Sequence, residues 1–232
     1  SKSDKLRNLM RLLASKIIVY TRQQQFELKN KMPKKIILAA PNAVLSSFKM
    51  EFSTTNNKFN IIYVGRLTKL KKTFFLVESF AKEIHRYPSK TKLIIIGEGE
   101  EKNKIKNYIV KNKLSQRIEL LGHISNNEKL KDLYFTSFFS VSPGYVGLSI
   151  IQSFGFGVPM LVSRNENHSP EIEALNINEN GLFFETNQED NFNNVLLQAF
   201  KEREYWIEKS VHIVKSCQKN YSTTLRFGCH PF

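Results

Sequence analysis

The chain is poor in the residues that bind metals and form crosslinks. It has two cysteines, Cys217 and Cys229, and three aspartates, Asp4, Asp132 and Asp190. Two cysteines near one end, without metal-ligand spacing, read as ordinary reduced thiols of a cytoplasmic protein, not as a disulfide or half of a metal site. Aspartates this scarce leave no Asp-x-Asp metal motif. The histidines, His85, His123, His168, His212 and His230, form no His-Glu-x-x-His pattern, and Gly-x-Ser-x-Gly is missing, so zinc-hydrolase and serine-hydrolase readings lose their support. No apolar run approaches the roughly 18 to 20 residues that span a bilayer, and the charged first thirty residues do not resemble a secretory signal.

What is present is core-forming and basic. The 232 residues are 41% hydrophobic and 12% aromatic, enough for a substantial core. The net charge of +14 is uneven: residues 1–120 carry 26 Lys and Arg against 9 Asp and Glu, and the rest carry 9 against 12. A basic half fits anionic partners such as an acidic leaflet, a phosphate-bearing substrate or nucleic acid, or else it consists of solvated lysine faces such as EEKNKIKNYIVKNK. Neither interleaved aromatics nor a recognition-helix motif accompanies the charge, so nucleic acid is not expected.

From residue 60 onward apolar runs alternate with helical patterns. NIIYV (60–64), KLIII (92–96), RIELL (117–121), FFSV (138–141), PMLV (159–162) and GLFF (181–184) read as strands. Helices are expected near 73–87, 100–113, 126–135, 147–156 and 188–203. Continuous apolar strands joined by helices of this length predict an α/β domain with a doubly wound parallel sheet, whose ligands bind at the C-terminal strand ends. Residues 1–55 differ: a basic helix (about 4–14), a strand IIVY, a helical stretch, IILAAPNAV and a linker-like STTNNK. One strand and one helix cannot close a domain, so this segment is expected to end a preceding one. A long helix is expected over about 203–220, and the tail TTLRFGCHPF carries no assigned role.

Several loops after strands hold chemistry. In GRLTKLKKT, Gly65 and Arg66 leave the sheet, and Lys69, Lys71 and Lys72 precede a helix, which suits a diphosphate or simply a solvated basic loop. Gly97-Glu98-Gly99 starts like a dinucleotide fingerprint, but Lys102 stands where the third glycine belongs, so no nicotinamide or flavin cofactor is inferred. Glu98 and Glu100 are a weak pointer to a metal. The stretch SPGYVGLSIIQSFGFGVP (142–159) holds four of the ten glycines and two of the seven prolines. Gly144 and Gly147 suggest a sharp turn, either without ligand or one that aims the amides of Val146, Gly147 and Leu148 at an anion. Gln152, one turn further, is placed to reach a ribose hydroxyl. His168 either contacts a sugar or phosphate or is an exposed loop residue.

The order of these motifs resembles the C-terminal domain of the group 1 (family 4) glycosyltransferases. It runs from the Gly-Arg-x5 loop with Lys71 through the Gly-x-Gly, RIELLGHIS and SPGYVGLSIIQSFGFGVP to a late Pro170-Glu171, and covers about residues 36–215. The resemblance implies a GT-B fold with a Rossmann-like C-terminal half. It implies a retaining, metal-independent transfer from a nucleotide-sugar donor to a saccharide or lipid-linked acceptor, in bacterial surface polysaccharide or glycolipid synthesis. Arg66 and Lys71 would hold the diphosphate and stabilise its departure. Gly65, Gly97, Gly144, Tyr145, Val146, Gly147, Leu148, Gln152 and Glu171 would complete the donor site, with Gly122 and His123 lining the base. Two departures stand out. The family's two glutamates, eight positions apart, are here Gly144 and Gln152, and most of the acceptor domain is absent. The implied division is 1–55, acceptor-domain remnant and linker; 56–202, donor domain; 203–232, crossing helix and tail. Turnover by this chain alone is expected to be negligible. The competing expectations are a non-catalytic nucleotide-binding fragment and a basic peripheral membrane module.

Overall fold

A computed structural model describes residues 2–223. The chain opens with α1 (Lys2–Leu13), β1 (Lys16–Val19), α2 (Arg22–Lys31) and β2 (Ile36–Ala39). Thr21 caps α2, its side chain accepting from the Gln24 amide at 3.0 Å. IILA forms a strand where none had been expected, pairing in parallel with β1. Alternation along the pair turns Val19 and Ile37 onto Leu28 of α2, while Ile18, Ile36 and Leu38 face outward.

The main sheet follows: β3 (Asn60–Val64), α3 (Thr73–Lys82), β4 (Leu93–Ile96), α4 (Lys102–Lys111), β5 (Ile118–Gly122), α5 (Asn127–Phe135), β6 (Ser137–Ser142), α6 (Ser149–Gly155), β7 (Met160–Ser163), β8 (Gly181–Phe184) and α7 (Glu189–Lys201). The strand order is β5-β4-β3-β6-β7-β8, with every pairing parallel. This is the doubly wound sheet read from the sequence. Its strands are continuous apolar runs because both faces are buried: Ile61, Tyr63, Leu93 and Ile95 pack into one core, and Ile62, Ile94 and Ile96 into the other.

The expected long helix over 203–220 is broken at Lys209 into α8 (Arg203–Glu208) and α9 (Ser210–Tyr221). The break follows from packing. Trp206 of α8 lies in the first core, whereas Ile213, Val214 and Cys217 of α9 lie in the second, so the chain must turn between the two faces of the sheet. It passes so close to Gly157, at φ +69°, that a Cβ there would meet the Ser210 carbonyl oxygen at 3.0 Å. Cys217 is a buried free thiol pushed up to about 12 by burial. Cys229 and nearly all of the tail TTLRFGCHPF lie outside the described residues.

The early segment is tied to the sheet domain at several points. The Glu173 carboxylate accepts from the Arg22 amide at 2.9 and 3.0 Å and from the Gln23 amide at 3.3 Å, at the start of α2. Gln218 of α9 donates to the carbonyls of Ser47 and Met50 at 3.0 and 3.1 Å. Lys58, in the expected linker, is 1% exposed, and its Nζ donates to the Ser210 hydroxyl at 3.3 Å.

Candidate donor site

β3 and β6 are neighbours at the centre of the sheet, and the chain leaves them toward opposite flanks. This divergence opens a crevice at their C-terminal ends. A cleft of about 520 Å³ occupies it, lined by Gly65, Arg66 and Lys71 from the loop after β3 and Tyr145, Gly147, Leu148, Ser149 and Gln152 from the stretch after β6. Val44, Val64, Ser169 and Glu171 complete it.

Two cations and one phenol form its centre. Arg66 Nη2 donates to the Tyr145 hydroxyl at 3.0 Å. Lys71 Nζ donates to the Tyr145 carbonyl at 2.9 Å and stands 3.4 Å from the centroid of the same ring. Burial lowers the Lys71 ammonium from its usual value, with the adjacent Arg66 guanidinium acting in the same direction. The Arg66 hydrogen bond draws the Tyr145 phenol below its usual value, aided by Lys71. Lys72 of the same loop turns elsewhere: in left-handed backbone at φ 53°, it bonds Glu166 and Asn187, while the Lys69 backbone amide donates to Glu100 at 3.3 Å. On the facing wall Glu171 is 7% exposed and accepts from Asn42 Nδ2 at 2.6 Å.

Of the other expected site residues, Gly97, Gly144 and Val146 are buried behind this surface. A Cβ at Gly97, at φ +149°, would fall 1.8 Å from the Gly65 carbonyl oxygen, and one at Gly99 would fall 2.3 Å from that of Leu67. The Gly-x-Gly thus serves loop-on-loop packing, reinforced by the Leu67 amide donating to the Glu98 carbonyl at 2.9 Å. The Gly122 carbonyl accepts the Gly97 amide at 2.8 Å, and the His123 amide serves the Glu98 carboxylate. Gly144 is buried, its missing Cβ position 2.2 Å from the Leu70 carbonyl oxygen. The Val146 amide, expected to face an anion, instead donates to His168 Nδ1 at 3.0 Å. His168 is half-buried and spends its other nitrogen on the Ser163 carbonyl at 2.9 Å, so neither of its sequence-based readings describes it. Val44, Ser149 and Ser169 were not anticipated. Ser149 opens α6 directly after the glycine turn, a position the turn itself marks, whereas Val44 comes from more than a hundred residues upstream and left no local sign. Among the described residues no group of three or more His, Cys, Asp or Glu could hold a metal ion, and no helix is long and apolar enough to cross a membrane.

A doubly wound parallel sheet with a cationic crevice at its switch point defines an α/β protein built to receive an anionic ligand at the strand ends. The model of the family "Glycosyl transferases group 1" matches residues 47–219, and the chain belongs to that family. It is 33% identical over 124 residues to an uncharacterised glycosyltransferase of Methanocaldococcus jannaschii, a stretch covering 53% of this chain and 30% of that one. It is 27% identical over 150 residues to the alpha-monoglucosyldiacylglycerol synthase of Acholeplasma laidlawii, covering 62% and 36% respectively. The chain thus spans about a third of the length of these relatives. A crystal structure of a TarM variant from S. aureus, in complex with Fondaparinux, alpha-GlcNAc-glycerol and UDP, superposes with a TM-score of 0.68 at 20% identity, over 97% of this chain and 45% of that one. The fold is that of the Rossmann-like half of a GT-B glycosyltransferase.

Proposed function

We propose that this chain is the nucleotide-sugar-binding part of a retaining, metal-independent glycosyltransferase. The observation that carries the reading is the convergence of Arg66 and Lys71 on one cleft at the β3/β6 switch point. A diphosphate seated there receives two preorganised cations where negative charge grows as the glycosidic bond breaks, which is electrostatic catalysis without side-chain proton transfer. The UDP named with the TarM variant and the glycolipid named for the Acholeplasma enzyme suit a nucleoside-diphosphate sugar as donor and a saccharide or lipid-linked acceptor. Bacterial surface polysaccharide or glycolipid synthesis fits both. The basic first half, facing lipid-linked acceptors, would dock on an anionic leaflet at the inner face of a membrane.

In this reading residues 1–55 are the end of an acceptor domain and its linker, 56–202 the donor domain, and 203–232 the crossing segment and tail. Turnover by the chain alone would be negligible without the rest of the acceptor domain. A non-catalytic nucleotide-binding fragment is the second reading, favoured by Gly144, which offers the donor sugar no side chain and is packed against the Leu70 carbonyl.

The test is a thermal-shift titration against UDP, GDP, ADP and their sugar conjugates, with Arg66→Ala in parallel. A ligand at 100 times its dissociation constant stabilises by about 2.7 kcal/mol. The expected result is a rise in Tm with one nucleotide that Arg66→Ala abolishes. No rise with any of them, or an equal rise in the variant, overturns the donor assignment.

A further inference from the structure

We propose that Tyr145 is a competing occupant of the cation pair, its phenol and ring standing in for the donor's phosphates on Arg66 and Lys71, and that a diphosphate enters by displacing the phenol from both cations. The inference rests on the donor reading above and adds a residue-level route to it.

The contacts support an exchange. Arg66 directs Nη2 to the Tyr145 hydroxyl at 3.0 Å, and the Lys71 ammonium sits 3.4 Å above the ring centroid, so one side chain engages both cations. These are the contacts a diphosphate oxygen pair would make, with full negative charge in place of a phenol and a ring face. An anion that uses the Arg66 Nη2 donor and the ring-facing side of the Lys71 ammonium competes with Tyr145 for both. Tyr145 itself is only half-buried and lines the cleft, so its ring has a way out that does not disturb the core. The Lys71 bond to the Tyr145 carbonyl involves no side chain of Tyr145, so that ammonium stays anchored while the ring leaves. The remaining titratable neighbours do not supply a rival partner: Tyr63 bonds the Arg66 carbonyl at 2.8 Å, His168 is held by two backbone groups, and Glu171 accepts from Asn42.

A residue that must be displaced lowers the apparent affinity by the fraction of protein in which it has moved aside. Removing it therefore tightens diphosphate binding, whereas removing a residue that contacts the ligand weakens it.

The experiment is calorimetric titration of the full chain with UDP and, separately, inorganic pyrophosphate, for the parent protein, Tyr145→Phe, Tyr145→Ala and Arg66→Ala. Phenylalanine keeps the ring over Lys71 and deletes only the acceptor for Arg66. We expect Tyr145→Phe to bind both probes roughly three- to tenfold more tightly and Tyr145→Ala at least as tightly as that. Arg66→Ala should lose binding. A spectroscopic arm reads displacement directly: phenolate absorbance of the parent minus that of Tyr145→Phe isolates the Tyr145 titration, which pyrophosphate should move to higher pH. Equal or weaker binding in both Tyr145 variants, or a phenol titration that pyrophosphate leaves in place, overturns the exchange while leaving the donor site standing. Absence of binding in every protein, Tyr145→Ala included, overturns both, because clearing the phenol would then open no site.

Discussion

His168 Nδ1 accepts the Val146 amide at 3.0 Å while its Nε2 meets the Ser163 carbonyl at 2.9 Å. An amide can only donate, so Nδ1 carries no proton and Nε2–H donates to Ser163. The neutral ring thus ties the end of β7 to the turn that carries Tyr145. His168→Ala would leave the buried Val146 amide unpaired and should lower stability by about 1–3 kcal/mol, read by denaturant unfolding. Burial holds His168 below the usual imidazole value, so the unfolded chain takes up the proton first as pH falls. Its contribution is therefore present above the ordinary pKa of about 6.5 and is lost below it. The Tm difference between the parent and His168→Ala should shrink from pH 7 to pH 5. A constant difference would show that the ring does not titrate in this way.

A side chain at position 144 does not fit the turn as it stands. At position 144 the added Cβ falls 2.2 Å from the Leu70 carbonyl oxygen and 2.9 Å from Lys71 Cα, both backbone atoms of the loop that carries Lys71. Gly144→Glu and Gly144→Ala should both destabilise by roughly 1–3 kcal/mol and weaken nucleotide binding together. Thermal melts and UDP titration of the two variants check this; a Gly144→Glu protein as stable as the parent would show that the loop yields readily.

Lys58 Nζ donates to the Ser210 hydroxyl, and burial lowers its pKa to about 8. Between about pH 8 and the ordinary lysine value near 10.4 the unfolded chain binds the proton and the native one does not, so stability rises with pH across that window. Below it both states are charged and the full burial cost remains. Lys58→Met should raise stability at pH 7 by roughly 1–3 kcal/mol and remove the alkaline slope, as measured by urea unfolding at pH 7 and 9.5. A loss of stability in Lys58→Met would mean that the ammonium is better satisfied than its bond to Ser210 suggests.

Glu173 reaches across from the segment after β7 to cap α2 through two of its first amides. Glu173→Ala should speed hydrogen exchange in α2, with a loss of about 0.5–2 kcal/mol there, and leave exchange in β3 and β6 unchanged. Uniform acceleration throughout the chain would show that α2 does not open on its own.

The strands of the main sheet were legible because burial on two faces writes an unbroken apolar run, as in NIIYV and LIII, and an edge error of one residue does not disturb that signal. β2 was not, since IILA sits between lysines and a proline and buries only Ile37 fully. The residues around the cleft were visible where they follow a strand directly, as Arg66 and Tyr145 do. What one strand-loop pattern does not carry is who takes each amide. Nothing local tells that Val146 will be claimed by a histidine 22 residues later, or that a lysine in a polar linker will end beside Ser210. The bend at Lys209 was hidden for a similar reason: apolar spacing records that a helix is amphipathic, not that its two halves serve opposite faces of the sheet.

The strand order also sets a timetable for synthesis. β3, β4 and β5 neighbour one another in the order they leave the ribosome, so this flank can assemble as it emerges. β6 must return to the far side of β3, more than seventy residues after β3 was made, before the second flank can grow. The cleft lies on that late seam. A nascent chain halted within α5 would carry Arg66 and Lys71 with no Tyr145 beside them, so the cations are made well before the wall that anchors them.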